Sequence, residues 1–192
     1  MVSVSGASGE GSRSILASMT RGSADAGQIE VEAPAISIAG GAINTSTLGS
    51  GRAGNILLDS RTTQIAGGGT LSSSTVGGTG PGGDIQLRSS DSLTIGGPGS
   101  GIYTTSTGAG NGGNIETLSR YLRLLPGSTI TAESTGSGNA GEVRITALHS
   151  FTAEGSAIDV KASRADGGNI EVRAPHMVHL KNSTLSASVS MS

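Results

Sequence analysis

The 192-residue sequence contains no Cys and no Trp, only two Tyr and one Phe, and no excess of charge of either sign. Without Cys, disulfides, thiolate nucleophiles and thiolate metal sites are excluded together. With Tyr103, Tyr121 and Phe151 as the sole rings, neither an aromatic-rich globular core nor a stacked-ring carbohydrate platform can be assembled, so burial must come from Ile, Leu, Val and Ala. Twelve Lys+Arg against fourteen Asp+Glu give a net charge of −2, and no electrostatic ground exists for nucleic acid or anionic lipid as a partner. No apolar run approaches the roughly 18 to 20 residues of a membrane-spanning helix. The opening Met1-Val2-Ser3-Val4-Ser5-Gly6 has neither the basic n-region nor the apolar h-region of a signal peptide. If the chain is exported, its signal lies elsewhere, and the expectation is an excised part of a longer secreted precursor.

What is abundant is Gly, Ser and Pro, which make up 69 of the 192 residues. Such a composition without a period would read as a disordered chain, so periodicity decides the class. A motif of small residue, Gly, polar residue and aliphatic residue occurs six times: Ala26-Gly27-Gln28-Ile29, Ala53-Gly54-Asn55-Ile56, Gly82-Gly83-Asp84-Ile85, Gly112-Gly113-Asn114-Ile115, Ala140-Gly141-Glu142-Val143 and Gly167-Gly168-Asn169-Ile170. The steps between the aliphatic anchors are 27, 29, 30, 28 and 27 residues. Each repeat holds three short alternating apolar runs, such as Ile29 and Val31, then Ile36 and Ile38, then Ile43 with Thr45, which is the signature of strands with one buried face.

Three strands separated by Gly, Pro, Ser or Asn turns cannot bury their apolar faces within one repeat, so each repeat must stack on the next. The expected fold is all-β: a right-handed parallel β-helix of about seven coils with three short strands per coil. The hand follows the rule for parallel crossovers. At about 4.8 Å per coil this is a rod of roughly 30 to 35 Å. Residues 1–192 read as one segment, with 1–25 an incomplete first coil whose last strand is Ile15-Leu16-Ala17-Ser18. Gly pairs suit turns that need positive φ or close backbone approach. Gly77 to Gly83 reads as a longer turn bulging from the rod, and Pro34, Pro126 and Pro175 as turn residues outside the ladder hydrogen bonds.

A functional row on such a fold must be a column of outward side chains. Glu116, Arg144 and Glu171 alternate in sign one position after their anchors, and Glu133 should stand one coil below Lys161; both read as cross-strand pairing on a solvated face. Catalysis on β-helices needs unpaired, clustered carboxylates. The nearest approach, Asp159 with Asp166, does not make a cluster, so no catalytic residue and no cofactor are expected. His149 and His176 lie six residues after their anchors and should stack, with Tyr121 and Asp91 continuing the column and His179 near. These three histidines are the only candidates for a metal such as zinc or copper, and plain surface is the simpler reading. The polar residues before the anchors (Gln28, Asn55, Asp84, Asn114, Glu142, Asn169) suggest an amide ladder that the acids interrupt. The Ser/Thr-rich third strands present Asn44, Ser72, Tyr103, Thr131, Asp159 and Ser186, too mixed a column to match an ice lattice.

The phrase Gly-Asn-Gly-Gly-Asn-Ile at Gly110 to Ile115, then Leu-Leu-Pro-Gly-Ser-Thr-Ile-Thr-Ala-Glu-Ser-Thr-Gly at Leu124 to Gly136 and Ala-Gly-Glu-Val at Ala140 to Val143, resembles the β-helical passenger repeats of filamentous-haemagglutinin-like exoproteins of the two-partner secretion pathway. The resemblance runs over nearly the whole chain; the Asn-Pro-type signature of that family's secretion domain is not in it. It implies export through an outer-membrane partner transporter and an extracellular or cell-surface adhesive fibre on a bacterial cell. The implied partner is a receptor or glycan on a host or neighbouring cell, engaged through the parent protein. The resulting expectation is a non-enzymatic shaft or adhesin segment. A carbohydrate-binding β-helix module and a degenerate polysaccharide lyase or hydrolase are the rivals. Bare strands at both ends, Val2-Ser3-Val4 and Leu185-Ser186-Ala187-Ser188-Val189, predict end-to-end self-association.

Overall fold

In a computed structural model, which describes residues 1–6 and 13–190, the chain is a parallel β-solenoid of about six turns with no helix among the described residues. Strands β1 (Val2–Ser5) and β2 (Ile15–Thr20) precede five coils, each made of one long and one short strand. These are β3 (Ile29–Ala39) with β4 (Ala42–Thr47), β5 (Ile56–Ala66) with β6 (Thr70–Thr75), and β7 (Ile85–Gly96) with β8 (Gly101–Ser106). Then come β9 (Ile115–Leu124) with β10 (Thr129–Ser134) and β11 (Val143–Glu154) with β12 (Ala157–Ala162). The sixth coil is β13 (Ile170–Arg173), β14 (Met177–Lys181) and β15 (Thr184–Val189). The long strands pair in parallel as one sheet, β1-β3-β5-β7-β9-β11-β13 with β14 also on β11. The short strands form the other, β15-β12-β10-β8-β6-β4-β2. The expected incomplete first coil is seen as β1 on the second half of β3 and β2 on β4; residues 7–12 of that stretch lie outside the described residues.

The expected three strands per coil are separate only in the last coil. In the other five, the first two apolar runs belong to one strand that bends without losing its ladder. The inward residues at the bend are Ala33, Ser60, Ser89, Ser119 and Ala147, small enough for the backbone to turn inward. Past the bend the inward parity shifts, from Ile29 and Val31 to Ile36 and Ile38, which in sequence resembles a strand break. One residue occupies the bend in β3, β5 and β9, and two occupy it in β7 and β11, where the register slips past Ser90-Asp91 and Leu148-His149. Pro34 therefore sits inside β3, not in a turn. Pro175 does interrupt the last coil, where a missing N–H ends β13.

The core is a set of aliphatic ladders. Ile56, Ile85, Ile115 and Val143 form one, Ile43, Leu71, Ile102, Ile130 and Ile158 another, all with relative exposures of at most 1%. Each such side chain contributes about 1.5 to 3 kcal/mol relative to exposure. Inward Ser/Thr of the short strands are buried as well, including Thr45, Ser73 and Thr104. Their hydroxyls donate to the Gly-rich loops, Ser73 Oγ to Gly54 O at 2.9 Å and Thr104 Oγ1 to Gly113 O at 2.6 Å. These bonds hold the loop wall against the short-strand sheet.

Both glycine roles exist, but in different turns. The motif glycines Gly54, Gly83, Gly113, Gly141 and Gly168 meet the previous coil so closely that an added Cβ would overlap a backbone carbonyl, as at Gly113 with Gly83 O. Left-handed φ occurs mostly between the long and short strands, at Gly40 (70°), Gly97 (92°), Gly127 (81°) and Gly155 (54°), and in the last coil at Asn182 (51°), with Gly77 (68°) the case in a loop after a short strand. The Gly77–Gly83 segment is no separate bulge. Its backbone is stitched to the loops on either side, Ala53 N to Pro81 O at 3.1 Å and Gly82 N to Asn111 O at 2.9 Å.

Candidate functional site

The loop wall carries the most regular polar column. Asn55 Oδ1 accepts the N–H of Asp84 (2.9 Å), Asp84 Oδ1 accepts that of Asn114 (2.8 Å), and Asn114 Oδ1 accepts that of Glu142 (2.9 Å). The acids do not interrupt this ladder, contrary to expectation, because the rung needs only an acceptor oxygen and a carboxylate supplies one. A second column four residues before the anchors does the same: Asn111 Oδ1 accepts from Asn139 N–H (2.9 Å) and Asn139 Oδ1 from Asp166 N–H (3.1 Å). Asp166 is thus part of the loop wall. Asp159, on the short-strand sheet, lies 3.8 Å from Lys161 Nζ, so the two acids belong to different elements.

In the last two coils, charged side chains on the long-strand sheet pair with one another. Arg144 Nε donates to Glu171 Oε2 at 2.8 Å across adjacent coils, as the alternating column predicts, and Arg144 also meets Glu142 at 3.0 Å. Both Glu171 and Glu154 are held below the usual carboxylate range, first by the hydrogen bonds from Arg144 and Lys181 respectively. Lys181 Nζ lies 2.6 Å from Glu154. Glu133 and Lys161 share register, yet the ion pair Lys161 makes is with Asp159 on its own strand.

The structure brings His149 and His176 together at the bend, ring centroids 4.4 Å apart and tilted by 32°, with Tyr121 beneath His149 at 5.0 Å. Arg120 covers Tyr121, its guanidinium carbon 5.4 Å from the ring centre. Asp91 does not continue the stack in register: Tyr121 aligns with Ser92 and Ser150, and Asp91 is the extra residue of the bend in β7. His179 is on β14 opposite Thr152, away from the stack. An imidazole binds metal through an in-plane lone pair, and the tilted pair of rings offers at most two such ligands. Among the described residues no group of three or more His, Asp or Glu has a metal-holding arrangement. His149 Nδ1 is buried with no hydrogen-bond partner.

The outward face of the long strands beyond the bend was not singled out by the sequence. It forms an open groove of about 560 Å³ lined by Ser92, Thr94, Tyr121, Arg123, Thr152 and His179 among others. A second cleft of about 280 Å³, lined by Thr62, Gln64 and Ser37, shares Ser92 and Thr94 with it. Counting from the anchors misses these columns because the bend holds one residue in some coils and two in others. Counting back from the left-handed glycines aligns Ser37, Gln64, Thr94 and Thr152 but misplaces Arg123 by one, because Leu125 adds a residue before Gly127. No protein-family model, curated protein or solved structure matches this chain.

Proposed function

We propose that this chain is a length of shaft from a secreted bacterial surface fibre, non-enzymatic, resembling the filamentous-haemagglutinin-like passengers that leave the cell through a partner transporter. The observation that carries the reading is the mutual saturation of neighbouring coils. Aliphatic columns run through all the coils, and the loop wall bonds each coil to the next through Asn55, Asp84, Asn114 and Glu142. The parent protein, by this reading, acts outside the cell, where such a rod extends a contact domain toward a receptor or glycan on another cell.

Excision of one whole coil tests the shaft. Removing residues 115–142 joins Asn114 to Val143, which takes the place of its equivalent Ile115, and leaves every column continuous. The shortened protein should retain β-sheet circular dichroism and cooperative melting, with its length reduced by about 4.8 Å. Collapse of the fold would overturn the reading, as would release of products from a polysaccharide panel. Specific glycan binding abolished by Tyr103→Ala or Thr105→Ala on the short-strand sheet would favour a carbohydrate-binding module instead.

A further inference from the structure

We infer that the groove on the outward face of the long strands, beyond the bend, binds an extended carboxylate-bearing glycan laid along the solenoid axis, with Arg123 as its anion contact. Its two clefts share Ser92 and Thr94 as lining, so together they extend along this face from β3 to β14, across successive coils and perpendicular to the strands. Side chains therefore recur along it at the coil spacing of about 4.8 Å. An elongated polymer with a short repeat can meet a hydroxyl, amide or charged side chain at successive steps, which a compact ligand cannot.

On the loop wall, polar side chains bond to the neighbouring coil, and on the first half of the long strands Arg144 and Glu171 pair as ions. In the groove, Thr62, Gln64, Ser92, Thr94, Ser150 and Thr152 take part in no side-chain hydrogen bond found among the described residues, and their capacity is directed outward. Hydroxyls and amides that both donate and accept suit sugar hydroxyls. The sheet face offers side chains and no free backbone edge, which disfavours an added peptide strand.

Charge then selects an acidic chain. The lining acid Glu154 is neutralised by Lys181 at 2.6 Å. Arg123 is exposed, lies mid-groove between Thr94 and Thr152 in the same column, and has no carboxylate at ion-pair distance among the described residues. A guanidinium presents a planar fork matched to a carboxylate. Tyr121, in the adjacent column, is held by His149 on one side and Arg120 on another, so its ring is a fixed apolar wall beside that fork. A shaft without any ligand would stand equally well structurally, so this inference and the shaft reading fail independently.

Titration calorimetry of the 192-residue protein with alginate oligosaccharides, their carboxyl-reduced neutral forms and sulfated dextran oligosaccharides tests the assignment. Saturable binding of the uronate is expected, weakened about tenfold or more by carboxyl reduction and by Arg123→Gln. Arg123→Lys, which keeps the charge and loses the fork, should fall between, and it serves if the Gln variant fails to fold. Thr105→Ala on the other sheet should bind as the parent does. No binding of the uronate, equal binding by both Arg123 variants and the parent, equal loss in Thr105→Ala, or equal affinity for sulfated dextran would each overturn the proposal.

Discussion

The Asp84 carboxylate accepts two bonds from Asn114 one coil further along, from its backbone N–H at 2.8 Å and from its side-chain amide at 3.1 Å. A rung of the loop wall therefore depends on an oxygen at position 84, not on its charge. Asp84→Asn should change stability by less than about 0.5 kcal/mol, whereas Asp84→Ala should cost about 1 kcal/mol, the net worth of a partly exposed hydrogen bond. Urea midpoints of the two variants, compared with the parent, check this. Equal losses in both would mean that the charge itself, acting on Arg52 at 3.7 Å, holds the rung.

Gly113→Ala should destabilise by about 1 to 3 kcal/mol, as overpacked sites do, because the new Cβ would overlap the carbonyl of Gly83 and the loops would have to part. Gly22→Ala, where nothing lies within 4 Å of the added carbon, should leave the melting temperature unchanged. Similar melting of the two variants would refute the close-approach role of the motif glycine.

Acid should loosen the last coil. Glu171 and Glu154 have folded-state pKa values below the unfolded value of about 4.3, so the unfolded chain binds more protons in that range. The stability they add is present above about pH 4.3 and is lost as pH falls through their lower folded values. Hydrogen exchange of the Ile170–Lys181 amides should accelerate between neutral pH and pH 3 beyond the intrinsic pH effect, and Glu171→Gln with Glu154→Gln should remove that excess. An undiminished excess in the double variant would assign the effect elsewhere.

The coils at the two ends leave apolar rows uncovered: Leu16 is 42% exposed, Val178 and Leu180 49% and 46%, while their equivalents in the middle of the stack are sealed. In every interior coil what covers such a row is another coil. The 192-residue protein should therefore associate end to end at rising concentration, and Leu180→Lys with Leu185→Lys should suppress it. Light scattering that reports a monomer at all concentrations would contradict this.

The columns that the sequence made visible are those measured from a feature of constant spacing. The anchors Ile56, Ile85, Ile115 and Val143 follow a glycine that packs against the preceding coil, so the ladders beside them, the stacked Arg144 and Glu171, and the facing His149 and His176 were all legible. Columns beyond the bend were not. There Asp91 looks equivalent to Tyr121, but the extra residue in β7 places Ser92 opposite it, and the groove lining at Thr94, Arg123 and Thr152 stayed hidden behind that slip.

Repeat length, parallel stacking and an aliphatic core follow from local patterning alone, because period-two alternation and a recurring small-Gly pair leave a chain so poor in aromatic residues no other way to bury its apolar faces. Which polar groups answer one another was settled only in three dimensions. That Ser73 and Thr104 turn inward to the loop carbonyls, that Asp84 continues an amide ladder, and that Lys161 chooses Asp159 over Glu133 depend on side-chain directions and on distances between coils. Those are set by the bend in the long strands and the contact between stacked loops, which no single repeat contains.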